Sequence, residues 1–126
     1  MMKIKSVSGV TCYAKNLDET AKFYETLGFE TRKRDAEHIT VYSNWFWIDF
    51  IAIDREERAD FKKEARLRDK GAGIFLYLSV ENVDEFHKDL LSMGLKPASE
   101  PQVTRGNREF IIHDPDGYKL VIFKRK

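Results

Sequence analysis

The sequence predicts an α+β fold built from two βαβββ modules. Three observations carry the prediction: a gapless internal repeat, matched helix start and stop signals in both copies, and extended segments in the same order around each helix. The repeat sets NLDETAKFYETLGFE, Asn16 to Glu30, over NVDEFHKDLLSMGLK, Asn82 to Lys96, at an offset of 66 residues. Asn, Asp, Glu, Lys and Gly coincide, and Leu17/Val83, Thr26/Ser92, Leu27/Met93 and Phe29/Leu95 are chemically alike. Positions that would pack are matched as well as polar ones, as expected of a duplicated structural unit.

Ser8 to Ala14 reads as the first strand. Asn16 then offers a helix cap, with acidic residues in the first turn and Glu19 three positions on, as in a capping box. Leu17, Ala21, Tyr24 and Leu27 form one apolar stripe, and Gly28 marks the stop, because glycine tolerates the left-handed conformation just past a helix end. Glu30 to Arg34, Glu37 to Ser43 and Trp45 to Ile53 follow as extended segments rich in aromatic and β-branched residues. The second half repeats the order: strand Ile74 to Val80, then helix Val83 to Met93 with its stripe of Val83, Phe86, Leu90 and Met93 and its stop at Gly94. A weak segment near Pro97 to Val103 precedes Arg108 to His113 and Tyr118 to Lys124. Module one thus spans residues 4–53 and module two residues 73–126. Between them residues 54–72 are strongly charged and carry Phe61, Ala65 and Leu67 at loosely helical spacing, which reads as a connecting helix serving as a solvated linker. A lid or partner-binding helix is the other reading.

With 126 residues, 42% of them hydrophobic and 13% aromatic, the chain suits a single domain with a real core. Lys plus Arg number 22 against 21 for Asp plus Glu, with both signs dispersed, so no global field would gather nucleic acid or anionic lipid. Cys12 is the sole cysteine, which leaves no intramolecular disulfide, no CxxC pair and no thiolate zinc site. The opening MMKIKSVSGV lacks an apolar stretch long enough for a signal peptide or membrane span, so a soluble, cytoplasmic protein is expected.

The two repeat segments, the C-terminal GNREFIIHDPDGYKLVIF and the spacing joining them resemble the vicinal-oxygen-chelate superfamily of glyoxalases, extradiol dioxygenases, fosfomycin-resistance enzymes and bleomycin-binding proteins. The resemblance spans nearly the whole chain. It implies a curved mixed sheet whose convex face packs on the helices and whose concave face holds a ligand, commonly in a homodimer. Metal-dependent relatives place a histidine on the first strand of each module and a carboxylate on the last. Here Gly9 and Phe75 fall at the histidine positions and Val121 at the second carboxylate, so only Asp49 matches in chemistry. One carboxylate is too poor a donor set for a divalent transition metal, and the expectation is no metal and no cofactor. The histidines, His38, His87 and His113, are expected in surface or hydrogen-bonded structural roles.

Strand alternation assigns the concave face. If Ile48 and Phe50 pack under the helices, Trp47, Asp49 and Ile51 look into the cup; if Leu120 and Ile122 pack, Lys119, Val121 and Phe123 do. Thr11, Tyr13, Phe75 and Tyr77 join them from the first strands, with Trp45 and Tyr42 nearby. Glu109 shares a parity with Ile111 and His113 and faces the cup, while Arg108 points away, toward an edge or a partner chain; a surface ion pair is the competing account of these charges. The candidate ligand-binding set is therefore Thr11, Tyr13, His38, Tyr42, Trp47, Asp49, Phe75, Tyr77, Glu109 and Val121. Rings with a few polar tips suit a planar or cationic organic molecule, with Asp49 balancing its charge. For any single ring, a place in the core or a dimer seam is the competing role.

The expected function is metal-free binding or sequestration of an aromatic or cationic small molecule by a homodimer, similar to the bleomycin-resistance branch. Two alternatives stay open. One is a divergent lyase, isomerase or dioxygenase with a rearranged metal set drawn from Asp49, His38 or His113. The other is an interaction module whose cup is filled by its own side chains.

Overall fold

The computed structural model of the chain describes residues 2–125. The chain divides into two compact units, Met1–Arg68 and Asp69–Lys126. The first contains strand β1 (Gly9–Ala14), helix α1 (Leu17–Thr26) and strands β2 (Glu30–Arg34), β3 (His38–Ser43) and β4 (Phe46–Ala52). The second contains β5 (Phe75–Ser79), α2 (Val83–Ser92), β6 (Gln102–Thr104), β7 (Asn107–His113) and β8 (Lys119–Phe123). Each unit is a βαβββ module with its own four-stranded mixed sheet, ordered β1-β4-β3-β2 and β5-β8-β7-β6. In both, the first strand runs parallel to the last and the remaining pairs are antiparallel.

The two helices begin and end alike. Asn16 and Asn82 are extended, and each side chain accepts a 3.0 Å hydrogen bond from the backbone N–H of Glu19 or Glu85. At the far ends Gly28 (φ +103°) and Gly94 (φ +83°) take the left-handed conformation that lets the next residue turn back. The Phe29 and Leu95 N–H groups each donate to the carbonyl five residues earlier, on Tyr24 and Leu90, at 3.0 Å.

Each helix covers one face of its sheet. In module one Ala21 and Tyr24 pack with Ile39, Val41, Ile48 and Phe50, the Tyr24 ring lying 4.8 Å from that of Phe50. In module two Val83 and Leu90 pack with Phe110, Ile112, Leu120 and Ile122, and His87, also buried, meets Phe110 edge-on at 4.9 Å. Met93, placed by its spacing on this packing stripe, is instead 58% exposed, because α2 closes at Ser92 and the chain turns through Gly94 before the stripe would return to the sheet.

An arginine ties a strand to the helix in each module. Arg34 pairs with Asp18, and Arg108 forms two 2.8 Å bonds to the carboxylate of Asp84. The Arg108 guanidinium holds the Asp84 carboxyl below the usual carboxylate range. Arg108 therefore tethers β7 to α2 in its own module through an exposed ion pair, the competing account of this charge, and not through an edge or partner-chain contact.

Residues 54–72 do not form the continuous connecting helix that the spacing predicts. Two single-turn 3₁₀ segments, Ala59–Phe61 and Glu64–Arg66, are the only helical pieces there. The cause lies at the entry, where the Glu56 carboxylate takes both the Arg58 backbone N–H at 2.8 Å and its guanidinium at 2.6 and 2.7 Å, holding Arg58 extended. Of the three spaced apolar residues only Ala65 is buried, so no stripe remains to stabilise a longer helix. Among the described residues no helix is long and apolar enough to cross a membrane.

Candidate functional site

Pairing register sorts the face away from the helices into rows of neighbours. In module one the rows are Gly9–Trp47–Tyr42, Thr11–Asp49–Thr40 and Tyr13–Ile51–His38. In module two they are Phe75–Lys119–His113, Tyr77–Val121–Ile111 and Ser79–Phe123–Glu109. All ten candidate residues fall in these rows, on the same side of their own sheet, because side chains alternate along each strand. Position for position the modules differ in chemistry: Glu109 stands where module one has His38, Val121 where it has Asp49, and Phe75 where it has Gly9.

Module two holds a cavity of about 400 Å³ lined by Phe75, Tyr77, Ser99, Gln102, Thr104, Arg105, Glu109, Ile111 and Val121. Its floor is apolar, with Val121 only 1% exposed against Ile111 on the neighbouring strand. Two rings stand at the edge strand β5, Phe75 at 47% and Tyr77 at 54% exposure, with Tyr77 braced edge-on by Phe123 at 5.4 Å. The Lys119 ammonium lies 4.5 Å from the centre of the Phe75 ring. Into this mostly apolar space projects Glu109, which is only 8% exposed and whose carboxylate meets no hydrogen-bond donor or cation among the described residues. A carboxylate with no internal donor that opens into the cavity is a ready acceptor for a cationic donor brought by a ligand.

Module one holds a separate cavity of about 380 Å³ lined by Glu37, His38, Asp49, Ile51, Arg55, Glu56, Glu57 and Arg58. Here the floor is polar, because Thr40 donates a 2.8 Å hydrogen bond to Asp49. One wall is a closed network in which the buried Glu56 accepts from the Tyr13 hydroxyl at 2.7 Å as well as from Arg58. Arg58 and Tyr13 hold the Glu56 carboxyl down at about 2, and desolvation together with the Glu56 bond pushes the Tyr13 hydroxyl up to about 12. Tyr13 is thereby committed to positioning the wall. His38 sits at the rim with Nδ1 3.3 Å from Asp35, whose other carboxylate oxygen caps the backbone N–H groups of Glu37 and His38.

Phe75, Tyr77, Glu109 and Val121 thus meet in one cavity, and His38 and Asp49 in the other. Thr11, Tyr13, Tyr42 and Trp47 line neither, Tyr13 being bonded to the wall residue Glu56. Tyr42 carries the Arg32 guanidinium 4.3 Å above its ring, Thr11 faces solvent, and Trp47 lies over Gly9. Trp45, on the turn before β4, is exposed. The sequence reading missed Ser99, Gln102, Thr104 and Arg105 in module two, and Glu37, Arg55, Glu56, Glu57 and Arg58 in module one. Gln102 and Arg105 had a readable signal, since TRGN between two extended runs marks a tight hairpin. The wall from Arg55 to Arg58 had none, lying in a charged stretch whose path tertiary bonds decide.

The donor set does not fit a divalent metal at the positions used by metal-dependent relatives. A side chain at Gly9 would run into the Trp47 indole, Val121 is a buried hydrocarbon, Phe75 offers no donor, and Asp49 is alone. Among the described residues no three His, Cys, Asp or Glu side chains are grouped to hold a metal ion.

The family model of the Glyoxalase/Bleomycin resistance protein/Dioxygenase superfamily matches residues 6–122. Among solved structures, a bleomycin-binding protein complexed with bleomycin is similar at 22% identity, with 97% of this chain and 100% of that chain covered and a TM-score of 0.66. A lactoylglutathione lyase from Agrobacterium tumefaciens is similar at 16% identity, with 98% and 96% covered and a TM-score of 0.75. A virulence protein from Salmonella typhimurium is similar at 18% identity, with 99% and 100% covered and a TM-score of 0.78. At these identities the likeness is one of fold. No curated protein sequence gives a significant match.

Proposed function

The chain belongs to the Glyoxalase/Bleomycin resistance protein/Dioxygenase superfamily, and from that premise we propose that it is a metal-free member that binds a planar or cationic organic molecule in the module-two cavity. The observation that carries the reading is Glu109: a side chain buried along its stem whose carboxylate, unpartnered among the described residues, opens into a cavity flanked by the half-exposed rings of Phe75 and Tyr77. A bound ammonium or amidinium would give that carboxylate a charged partner while its aromatic plane packs on the rings. The bleomycin-binding relative, crystallised with its ligand, supports a sequestering role on this fold.

Isothermal titration of the protein with tryptamine, proflavine and bleomycin tests the reading. At least one flat amine should bind at one site per chain and lose roughly 10- to 100-fold in affinity in Glu109→Gln, the worth of a charge-assisted hydrogen bond. Silence across all three, or stoichiometric Mn, Fe, Ni or Zn in the untagged protein that is lost on Asp49→Ala, would replace binding by a metal-dependent reaction or an interaction role.

A further inference from the structure

We propose that the module-two cavity selects an amphoteric aromatic molecule, with its protonated nitrogen seated on Glu109 and its carboxylate held at the rim by Arg105. The inference rests on the ligand-binding reading of that cavity and adds the second charge. Glu109 and Arg105 are the charged residues among the lining side chains, so the cavity carries one unit of each sign and matches a ligand neutral overall. The two charges sit in unlike surroundings. Glu109 lies at the buried end, whereas Arg105 occupies the exposed tip of the β6–β7 hairpin.

The backbone at Arg105 is what singles it out. Thr104 pairs with Asn107, leaving Arg105 and Gly106 as a two-residue turn in which both φ angles are positive, +51° and +83°. Such turns favour Asn, Asp or Gly at the first position, because a longer side chain on that backbone is disfavoured. In the tight turn after Ser43 the positive-φ position, at +58°, is held by a short polar residue, Asn44. At Arg105 the chain carries a long cation instead, and that cation makes no hydrogen bond or ion pair among the described residues. Turn formation does not call for it and no internal partner uses it, yet it lines the cavity. A guanidinium in that place recognises a planar oxyanion through paired N–H donors. The nearby Lys119 ammonium is already seated over the Phe75 ring and leaves the rim to Arg105.

Titration calorimetry at neutral pH with phenylalanine, tryptophan and 2-naphthylalanine, each beside its decarboxylated amine and its deaminated acid, tests the two-charge arrangement across three ring sizes. The amino acid of the best-fitting ring should bind about 5- to 10-fold more tightly than its amine, as expected of a partly exposed ion pair, and more tightly still than its acid. Arg105→Asn, which suits the turn, should erase the advantage of the amino acid while leaving the amine unchanged. Urea unfolding of the variant confirms that the fold is kept. If amine and amino acid bind equally and Arg105→Asn alters neither, the carboxylate subsite is wrong and the binding function stands. If no compound of any ring size binds, both fall.

Discussion

Substituting Gly9 by alanine tests the packing on which the closed metal position depends. A Cβ built on Gly9 falls inside the contact distance of three carbons of the Trp47 indole, among them Cε2 at 2.5 Å, far below the 3.4–4 Å of ordinary contact. Either the indole swings off β1 or the edge strand moves away from β4, and overpacking of this kind costs about 1–3 kcal/mol. Gly9 does not need a positive φ, so alanine also removes glycine's excess unfolded-state entropy, worth about 0.5–1 kcal/mol in the opposite direction. The net expectation for Gly9→Ala is a loss of about 1 kcal/mol, or roughly 4 °C in Tm for a chain of this length. In a Trp47→Ala background the clash is gone and the sign reverses, so Gly9→Ala should stabilise by about 0.5–1 kcal/mol. Urea unfolding of the four proteins, fitted with a common m-value, measures the coupling directly. Equal destabilisation in both backgrounds would show that the indole does not occupy this space and would reopen the position to a metal-binding side chain.

Three further outcomes follow from the packing and the charges. Glu56, ordinarily near 4.5 and held at about 2, adds stability above pH 4.5 that disappears as the pH falls through about 2; Tyr13, raised from 10.0 to about 12, adds stability below pH 10 that disappears as the pH rises through about 12. Urea midpoints across pH should show both limbs, with Glu56→Gln flattening the acid one and Tyr13→Phe the alkaline one. Asn16→Ala and Asn82→Ala should each cost about 1 kcal/mol in urea unfolding, since each removes the same 3.0 Å cap from its helix. Glu109→Leu should abolish amine binding by calorimetry while shifting the stability of the free protein by no more than about 0.5 kcal/mol in the same assay, because it removes a cavity-facing carboxylate that the fold itself does not use.

The fold was legible because its signals are local and occur twice. Asn16 and Asn82, Gly28 and Gly94, and the alternating runs around them each state a boundary within a few residues, and the repeat confirms each against its partner. Parity was legible for the same reason: once Ile48 and Phe50 are assigned to the core, alternation fixes the face of Trp47 and Asp49. What parity cannot convey is which residues on a face share a hollow. Thr11, Tyr13, Tyr42 and Trp47 have the correct parity and line neither cavity, because indole–glycine, guanidinium–phenol and phenol–carboxylate contacts occupy three of them. The connecting stretch was misread for a related reason. Its helical spacing is a weak local preference that a three-bond clamp between Glu56 and Arg58 overrides.

The two modules share one strand plan, so the residues that differ between their faces decide what each face can hold. At the outer row module one sets Gly9 beside Trp47, and the ring from the last strand lies over the first. Module two sets Phe75 beside Lys119, and the ring stands on the first strand with a cation over it. Moving the ring from β4 in one module to β5 in the other opens the edge of module two, where Phe75 and Tyr77 form a wall. In the middle row the Asp49–Thr40 pair gives module one a polar floor, and Val121 beside Ile111 gives module two an apolar one. The inner row then puts a carboxylate, Glu109, above the apolar floor and an imidazole, His38, beside the polar one. An acid over hydrocarbon, with no internal partner in reach among the described residues, is the arrangement that gains most from a ligand cation. The Glu56 carboxylate, bonded by Arg58 and Tyr13, has nothing comparable to gain. The asymmetry between the modules therefore favours module two as the binding site and assigns the Tyr13–Glu56–Arg58 network of module one to holding its wall.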